Sequence, residues 1–344
     1  MKNLDDSKKI LIIKLSSIGD VVMITSCIRE LKKHYPNAEI DMIVEEESYP
    51  IVKNNPNLSN IFVFRRTKLF RSLFCIKKDL KEIFSLIKNL RKCTYDISFD
   101  FQGLLRSVIF LYLVPSKYKI GKNRWLFLSK NILSSSLSSI NAIEGYLDLL
   151  RSIGLNPKDK KTEIFLSLED EKFASDFLTK HKILKDDLLI IFNLGTRWQT
   201  KTWALENFIE LSKMLINVFD AKIILTGSKS EQKLSETLKK QVNKNIYIAT
   251  GDTTLLQLAG LIKKTKIFIT GDTGPMHIAA AMGTKIIALF GPTDPQRTGP
   301  YGEQHFVIKK NLQCSPCFKK KCNLLTCMKT ITPKEVFKEV EKIL

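Results

Sequence analysis

The chain has 344 residues, 44% of them apolar and 26% charged, a balance that excludes a disordered chain and, at roughly 100–200 residues per domain, predicts two globular domains. The longest apolar runs, such as Val108–Val114, cover about a third of the ~20 residues a membrane-crossing helix needs, so no span is expected. The polar start MKNLDDSKK lacks a signal-peptide pattern, so a cytoplasmic protein is expected. The formal net charge of +20 bears on partners, not on fold, and it is uneven: residues 51–130 hold 17 Lys and Arg against four Asp and Glu. Nucleic acid, an anionic membrane surface or a phosphorylated substrate would each suit that charge, and so would a plainly solvated face.

Taken in chain order, Lys9–Leu15 reads as a strand that ends at Ser16-Ser17-Ile18-Gly19-Asp20. A helical pattern over Val21–His34 and a strand at Glu39–Val44 follow, the opening of a parallel α/β sheet. Ile61–Phe64 and Ile97–Phe101 read as further strands, with a basic helical stretch, Phe70–Leu90, between them. A first domain over 1–165 and a linker over 166–187 are expected. From 188 the alternation resumes: strands Leu188–Leu194, Lys222–Thr226, Ile246–Ala249, Ile267–Thr270 and Lys285–Phe290. Helices Leu205–Phe219, Glu231–Gln241, Leu255–Ile262 and Gly274–Met282 lie between them. This predicts a second, doubly wound domain over 188–332 and a terminal helix over 333–344. The expected fold class is α/β, two Rossmann-like domains facing across a cleft. Ligands of such sheets bind at the carboxyl ends of the strands, so the chemistry belongs in the loops after them.

Four such loops carry candidate residues. In Ile269–Gly283, ITGDTGPMHIAAAMG, a strand ends at Gly271-Asp272, and Thr273-Gly274-Pro275 opens an Ala-rich helix with His277 one turn inside. The free N–H groups of that helix start favour a phosphate, although Asp272 and Thr273 could equally serve as caps. Asn193–Trp203, NLGTRWQTKTW, offers Thr196, Arg197 and Lys201, whose cations suit a diphosphate leaving group, or else forms a surface loop over Trp198 and Trp203. In Thr226–Glu231, TGSKSE, Glu231 could accept from a ribose or be an acid favoured by the helix dipole. In Ser16–Asp20, SSIGD, Asp20 suits a general base, the one group an inverting sugar transfer needs, or an N-cap. No Asp-x-Asp pair occurs, so positive side chains and a helix start would have to do what a bound metal does elsewhere.

SSIGDV, GTRWQTKTW, GDTGPMHIAAAMG and the following FGPTDPQRTGPYG, in this order over nearly the whole chain, resemble glycosyltransferase family 9, the ADP-heptose:lipopolysaccharide heptosyltransferases. The resemblance implies a GT-B fold, with the acceptor in the first domain and the donor in the second. It implies inverting, metal-independent transfer of heptose from ADP-L-glycero-D-manno-heptose to the inner core of lipopolysaccharide. It makes Asp20 the catalytic base, Thr196, Arg197 and Lys201 phosphate contacts, and Glu231 the reader of the ribose. Thr253 would lie near adenine, Asp272 at the heptose hydroxyls, and Thr273, Gly274 and His277 around sugar and diphosphate. It implies that no cofactor is required for catalysis. The acceptor would be a phosphorylated glycolipid, and Phe70–Leu90, with Arg71, Lys77, Lys78, Lys81 and Lys88, would rest on the anionic inner face of the inner membrane or be an ordinary amphipathic surface helix.

Of seven cysteines, Cys27, Cys75 and Cys93 read as inert thiols, and Cys314, Cys317, Cys322 and Cys327 form a C-x2-C-x4-C-x4-C cluster suited to structural zinc or to reduced free thiols. A disulfide is disfavoured in a reducing cytoplasm. The rival enzyme is a family 9 transferase with another nucleotide-sugar or a later core or capsule acceptor. Nucleic acid is not the expected partner, because Phe318 is the single aromatic within the cysteine cluster. A catalytically silent sugar-nucleotide sensor is disfavoured by the presence of Asp20.

Overall fold

The structure, a computed structural model, describes residues 7–65, 73–122, 132–135 and 141–344. The chain divides into two compact units, Met1–Phe165 and Leu166–Leu344. In the first, strands β1 (Lys9–Ile13), β2 (Glu39–Glu45), β3 (Asn60–Phe64), β4 (Tyr95–Asp100), β5 (Ser116–Lys122) and β6 (Ile132–Ser135) form one sheet in the order β3-β2-β1-β4-β5-β6. Every neighbouring pair is parallel. In the second, β7 (Leu189–Asn193), β8 (Lys222–Thr226), β9 (Ile246–Ile248), β10 (Ile267–Gly271), β11 (Lys285–Phe290) and β12 (Phe306–Lys309) run in the order β12-β11-β10-β7-β8-β9, again all parallel. Each unit thus has the doubly wound Rossmann order, and the expected fold class of two Rossmann-like domains is the one observed.

The sequence makes these sheets for a simple reason. Parallel strands covered by helices on both faces must be apolar on both faces, and KILII, LIIFN, IFITG and KIIALF are nearly continuous apolar runs. The first core joins Leu11, Ile13 and Ile43 of the sheet to Leu86, Ile87 and Leu90 of helix Leu73–Leu90 and to Phe110 and Leu111 of helix Leu105–Leu113. The second gathers Phe192, Leu225 and Ile269 with Phe208, Leu211 and Leu215 of helix Leu205–Phe219 and Val336 and Val340 of helix Pro333–Ile343. The stretch 166–187, expected as a linker, carries helix Leu168–Lys180, closed by a Ser167–Asp170 capping box and packed on helix Leu255–Lys263 of the second unit. Helix Pro333–Ile343 packs on Leu205–Phe219 and belongs to the same unit.

Some local expectations shift. The first long helix is two segments, Ile18–Met23 and Thr25–His34. Glu231 closes a short 3-10 turn before helix Gln232–Val242. Of the basic stretch Phe70–Leu90, the helix is seen from Leu73 to Leu90; Phe70, Arg71 and the side chains of Lys77 and Lys78 lie outside the described residues, as does the side chain of Cys75.

Candidate active site

In a doubly wound sheet the loops part where the strand order reverses, and ligands bind there. The reversal falls between β1 and β4 in the first unit and between β7 and β10 in the second. The loops and first helical turns that follow these four strands hold Asp20, Gln102, Lys201 and Asp272, so strand order alone brings three of the predicted groups to the two switch points.

In the first unit, β1 leads through Lys14 into the Ser16 turn, where Ser16 N donates to Gln102 Oε1 of the β4 loop at 3.0 Å. Ser17, and not Asp20, is the N-cap of helix Ile18–Met23. Asp20 Oδ2 accepts from Ser17 N at 3.2 Å and from Ser17 Oγ at 2.8 Å. Its Oδ1 accepts from Tyr146 Oη at 2.5 Å, and Lys14 Nζ lies 3.8 Å from the same oxygen. Burial alone would push the Asp20 carboxyl up, but the Lys14 charge and the hydrogen bonds from Tyr146 and Ser17 outweigh it and hold the pKa below the ordinary carboxylate value. The side chain stays 32% exposed. An ionised carboxylate with open solvent on one side can receive a proton from a bound hydroxyl. Beside it, Arg106 Nη2 donates to Ser16 Oγ at 3.2 Å and its Nη1 pairs with Glu45 Oε1 at 3.0 Å. Asp100 ends β4, with its carboxyl pushed up by burial despite hydrogen bonds from the backbone of Gly103 and Gln102 and from Ser107.

In the second unit, Lys201 Nζ pairs with Asp272 Oδ2 at 2.6 Å and reaches Asp272 O at 3.4 Å, and both side chains are largely buried. Lys201 also lies 4.4 Å from the centre of the Trp198 ring, with Lys320 Nζ at 5.4 Å from it. The approach of the two loops requires Gly271: a Cβ there would stand 2.9 Å from Lys201 O and 3.2 Å from Thr196 Cγ2. The caps expected of Asp272 and Thr273 are not made. Asp272 turns to Lys201, Thr273 Oγ1 meets Thr270 Oγ1 at 3.1 Å, and helix Gly274–Ala281 starts with no side-chain cap. With Pro275 lacking an N–H, the N–H groups of Thr273, Gly274 and Met276 at the helix start form a short donor crown, and His277 is buried in the turn that follows.

Glu231 joins the same neighbourhood from β8. Its Oε2 accepts from Ser228 N and Oγ at 2.8 and 2.7 Å, and a Cβ on Gly195 would stand 2.6 Å from it. It is therefore both the acid of a capping box and a carboxylate laid against the residue before Thr196. Thr196 Oγ1 holds Trp198 O and Thr202 Oγ1, each at 2.7 Å. Arg197 is exposed, and Thr253 is partly buried on the loop after β9, just before the Thr254 cap.

Among the described residues no group of three or more His, Cys, Asp or Glu side chains is arranged to hold a metal ion; Cys314, Cys317, Cys322 and Cys327, read as suited to structural zinc or to reduced free thiols, are free cysteines. Cys314 and Cys322 are exposed, and Cys317 and Cys327 are half-buried. The segment is fixed by ordinary hydrogen bonds: Cys317 N and Phe318 N donate to Pro292 O at 3.0 and 2.8 Å, and Thr200 Oγ1 donates to Lys319 O at 2.8 Å. It thereby braces the loop that carries Lys201. Cys27 is fully buried, which pushes its thiol up to about 12 and makes it inert at neutral pH.

The family model of glycosyltransferase family 9 (heptosyltransferase) matches residues 83–328. The lipopolysaccharide core heptosyltransferase OpsX of Haemophilus influenzae is 26% identical over 311 residues, 88% of this chain and 84% of that protein. Lipooligosaccharide heptosyltransferase 2 of Campylobacter jejuni is 26% identical over 336 residues, 95% and 96% of the two chains. Among solved structures, a family 9 glycosyl transferase from Veillonella parvula superposes with a TM-score of 0.85 at 23% identity over 98% of this chain and 97% of its own. The E. coli heptosyltransferase WaaC with ADP gives 0.76 at 21% identity over 98% and 100%. At these identities the structural likeness establishes the fold, and the sequence match over most of the chain establishes the family: the protein is a glycosyltransferase and belongs to glycosyltransferase family 9.

Proposed function

We propose that the protein transfers heptose from ADP-L-glycero-D-manno-heptose to the inner core of lipopolysaccharide, with inversion at the anomeric carbon and without a metal ion. The observation that carries this reading is the pair of switch points: an ionised carboxylate, Asp20, at one, and Lys201–Asp272 beside an uncapped helix start at the other. The relatives' names, a lipopolysaccharide core heptosyltransferase and a lipooligosaccharide heptosyltransferase, support the choice of sugar and acceptor class.

In this mechanism Asp20 takes the proton of the acceptor hydroxyl as its oxygen attacks the anomeric carbon from the face opposite ADP. The bond from that carbon to the diphosphate breaks as the new glycosidic bond forms. Lys201 has three N–H groups; two are directed at Asp272, and the third reaches a diphosphate oxygen. The helix start at Gly274 donates backbone N–H groups to the same developing charge. Asp272, held in place by Lys201, accepts from heptose hydroxyls, Glu231 from the ribose, and Thr253 lies toward the base. Thr196, Arg197, Thr273 and His277 complete the donor contacts.

An acceptor anchored in lipid calls for contact with a membrane surface. Among the described residues no helix is long and apolar enough to cross a membrane. Helices Leu73–Leu90 and Leu105–Leu113 share one core in the first unit and leave Phe84, Leu105 and Tyr112 exposed, with Lys81, Lys88 and Lys119 on or beside them. Apolar side chains among cations suit the anionic inner leaflet.

The test is donor competition. Calorimetric binding of ADP-heptose, ADP-glucose and a UDP-sugar to the whole protein should show ADP-heptose binding at least about tenfold more tightly, a gap of 1.4 kcal/mol, and NMR of the product should show the inverted anomer. Preference for another nucleotide or sugar, or a retained anomer, would overturn the reading.

A further inference from the structure

Asp20 is reached by a side chain that belongs to none of the sequence motifs. Tyr146 sits on helix Ala142–Arg151, 126 positions away, and is 4% exposed. The Asn141 side chain caps that helix by accepting from Ile143 N and Glu144 N, and Phe101 packs edge-on against the Tyr146 ring at 6.1 Å. The Tyr146 hydroxyl lies between two charged groups: Lys14 Nζ at 3.0 Å and Asp20 Oδ1 at 2.5 Å. An ammonium has only N–H to give and a carboxylate only lone pairs, so the direction is fixed. Lys14 donates to the tyrosine oxygen, and the tyrosine O–H donates to Asp20. Lys14 is 2% exposed and also donates to Phe101 O at 3.4 Å, which ties it to the β4 loop.

We propose that Tyr146, backed by Lys14, is the positioning residue of the acceptor site: it aims the Asp20 carboxylate and keeps it ionised. The proposal rests on reading Asp20 as the base. Asp20 Oδ2 already accepts two hydrogen bonds from Ser17, whereas Oδ1 accepts one, from Tyr146. A carboxylate oxygen has two lone-pair directions. Oδ1 is therefore the oxygen left with a direction for the acceptor proton, and Tyr146 decides where that direction points.

The surrounding charges are engaged elsewhere. Arg29 pairs with Asp159 and Glu163, and Glu30 accepts from Lys158 N. On the helix of Tyr146, Arg151 holds Glu144 and Asp148. Arg106 binds Ser16 and Glu45, and Tyr49 is the ionisable side chain of helix Tyr49–Val52, which packs on the Asp20 helix. Asp100 feels Lys14 from the β4 side. Among the described residues Lys14 is the cation within 4 Å of Asp20.

The experiment titrates Asp20 directly. Carbon NMR of the whole protein labelled at aspartate carboxyls, with Asp20→Asn to assign the signal, gives the midpoint in the wild type and in Tyr146→Phe, and kcat/KM is followed against pH in both. The midpoint should rise in Tyr146→Phe by about half to one pH unit, since a hydrogen bond to the charged form is lost. The acid limb of kcat/KM should move up with it while donor KM stays within about twofold, because the proposed donor contacts all lie in the second unit. An unmoved midpoint overturns the proposal. A raised midpoint with an unmoved acid limb overturns the link to the reaction. Full activity of Asp20→Asn overturns instead the reading of Asp20 as base, while the midpoint still reports whether Tyr146 holds it.

Discussion

Lys201 and Asp272 meet at 2.6 Å with side chains only 14% and 9% exposed, so removing one leaves the other charged and poorly solvated. Lys201→Met is expected to lower the unfolding free energy by about 3 kcal/mol in urea denaturation and kcat/KM by about 10²–10³-fold. Wild-type kcat/KM in this variant would remove Lys201 from the chemistry. Asp20 adds a pH signature. Its folded pKa lies below the unfolded value of 3.8, so its stabilising contribution is present above about pH 4 and is lost as pH falls through the folded value. Acid denaturation of Asp20→Asn should therefore be shallower than that of the wild type below pH 4, measured by circular dichroism; parallel curves would contradict the ionised, held carboxylate. Asp100, with its folded pKa raised, acts in the opposite direction: its contribution is present below its unfolded value and is lost as pH rises through the folded one. At this scale Asp20, Lys201 and Asp272 were legible because each follows a strand and sits beside small turn residues. Lys14 was hidden inside the apolar run KILIIKL, and Tyr146 is linked to Asp20 only by folding.

The loops that carry Lys201 and Asp272 depend on close backbone approach as much as on charge. Gly271→Ala would drive a Cβ to 2.9 Å from Lys201 O, a backbone atom that cannot turn aside. It should raise donor KM at least about tenfold and cost about 1–3 kcal/mol of stability, read by calorimetry and urea denaturation. Gly195→Ala meets a side chain, the Glu231 carboxylate at 2.6 Å, which can move. It should weaken ADP binding while leaving stability nearly unchanged, because Glu231 is displaced from where it would meet the ribose. The central strands were readable because buried parallel strands are continuous apolar runs. β5, with the sequence SKYKIGK, was missed because its lysines break such a run. Helix Leu168–Lys180 lay in a charged stretch, LEDEKFASDFLTK, that reads as a connector until its capping box and its packing partner are seen. The pairing of Lys201 with Asp272 could not be read along the chain, because β7 and β10 are neighbours only through the strand order.

Both units repeat one doubly wound plan, and under the proposed function their division of labour follows from what each switch point holds: a carboxylate in the first, a cation and a helix start in the second. The proposed contact of the first unit with an anionic membrane surface can be tested directly. Flotation with vesicles containing anionic phospholipid should carry the protein at low salt, and about 0.5 M salt should release most of it, because surface charges are screened beyond about 3–10 Å. Replacing Phe84 and Tyr112 by Ser should weaken flotation without affecting ADP binding, whereas unchanged flotation would remove these helices from the contact. Wild-type protein and Asp20→Ala would be given ADP-heptose and a core-truncated lipopolysaccharide in EDTA, and the product followed by mass. The wild type should add one heptose at a rate EDTA does not change, and Asp20→Ala should lose at least about 10³-fold in kcat while still binding ADP-heptose; transfer that stops in EDTA, or that persists in Asp20→Ala, would contradict the proposed function.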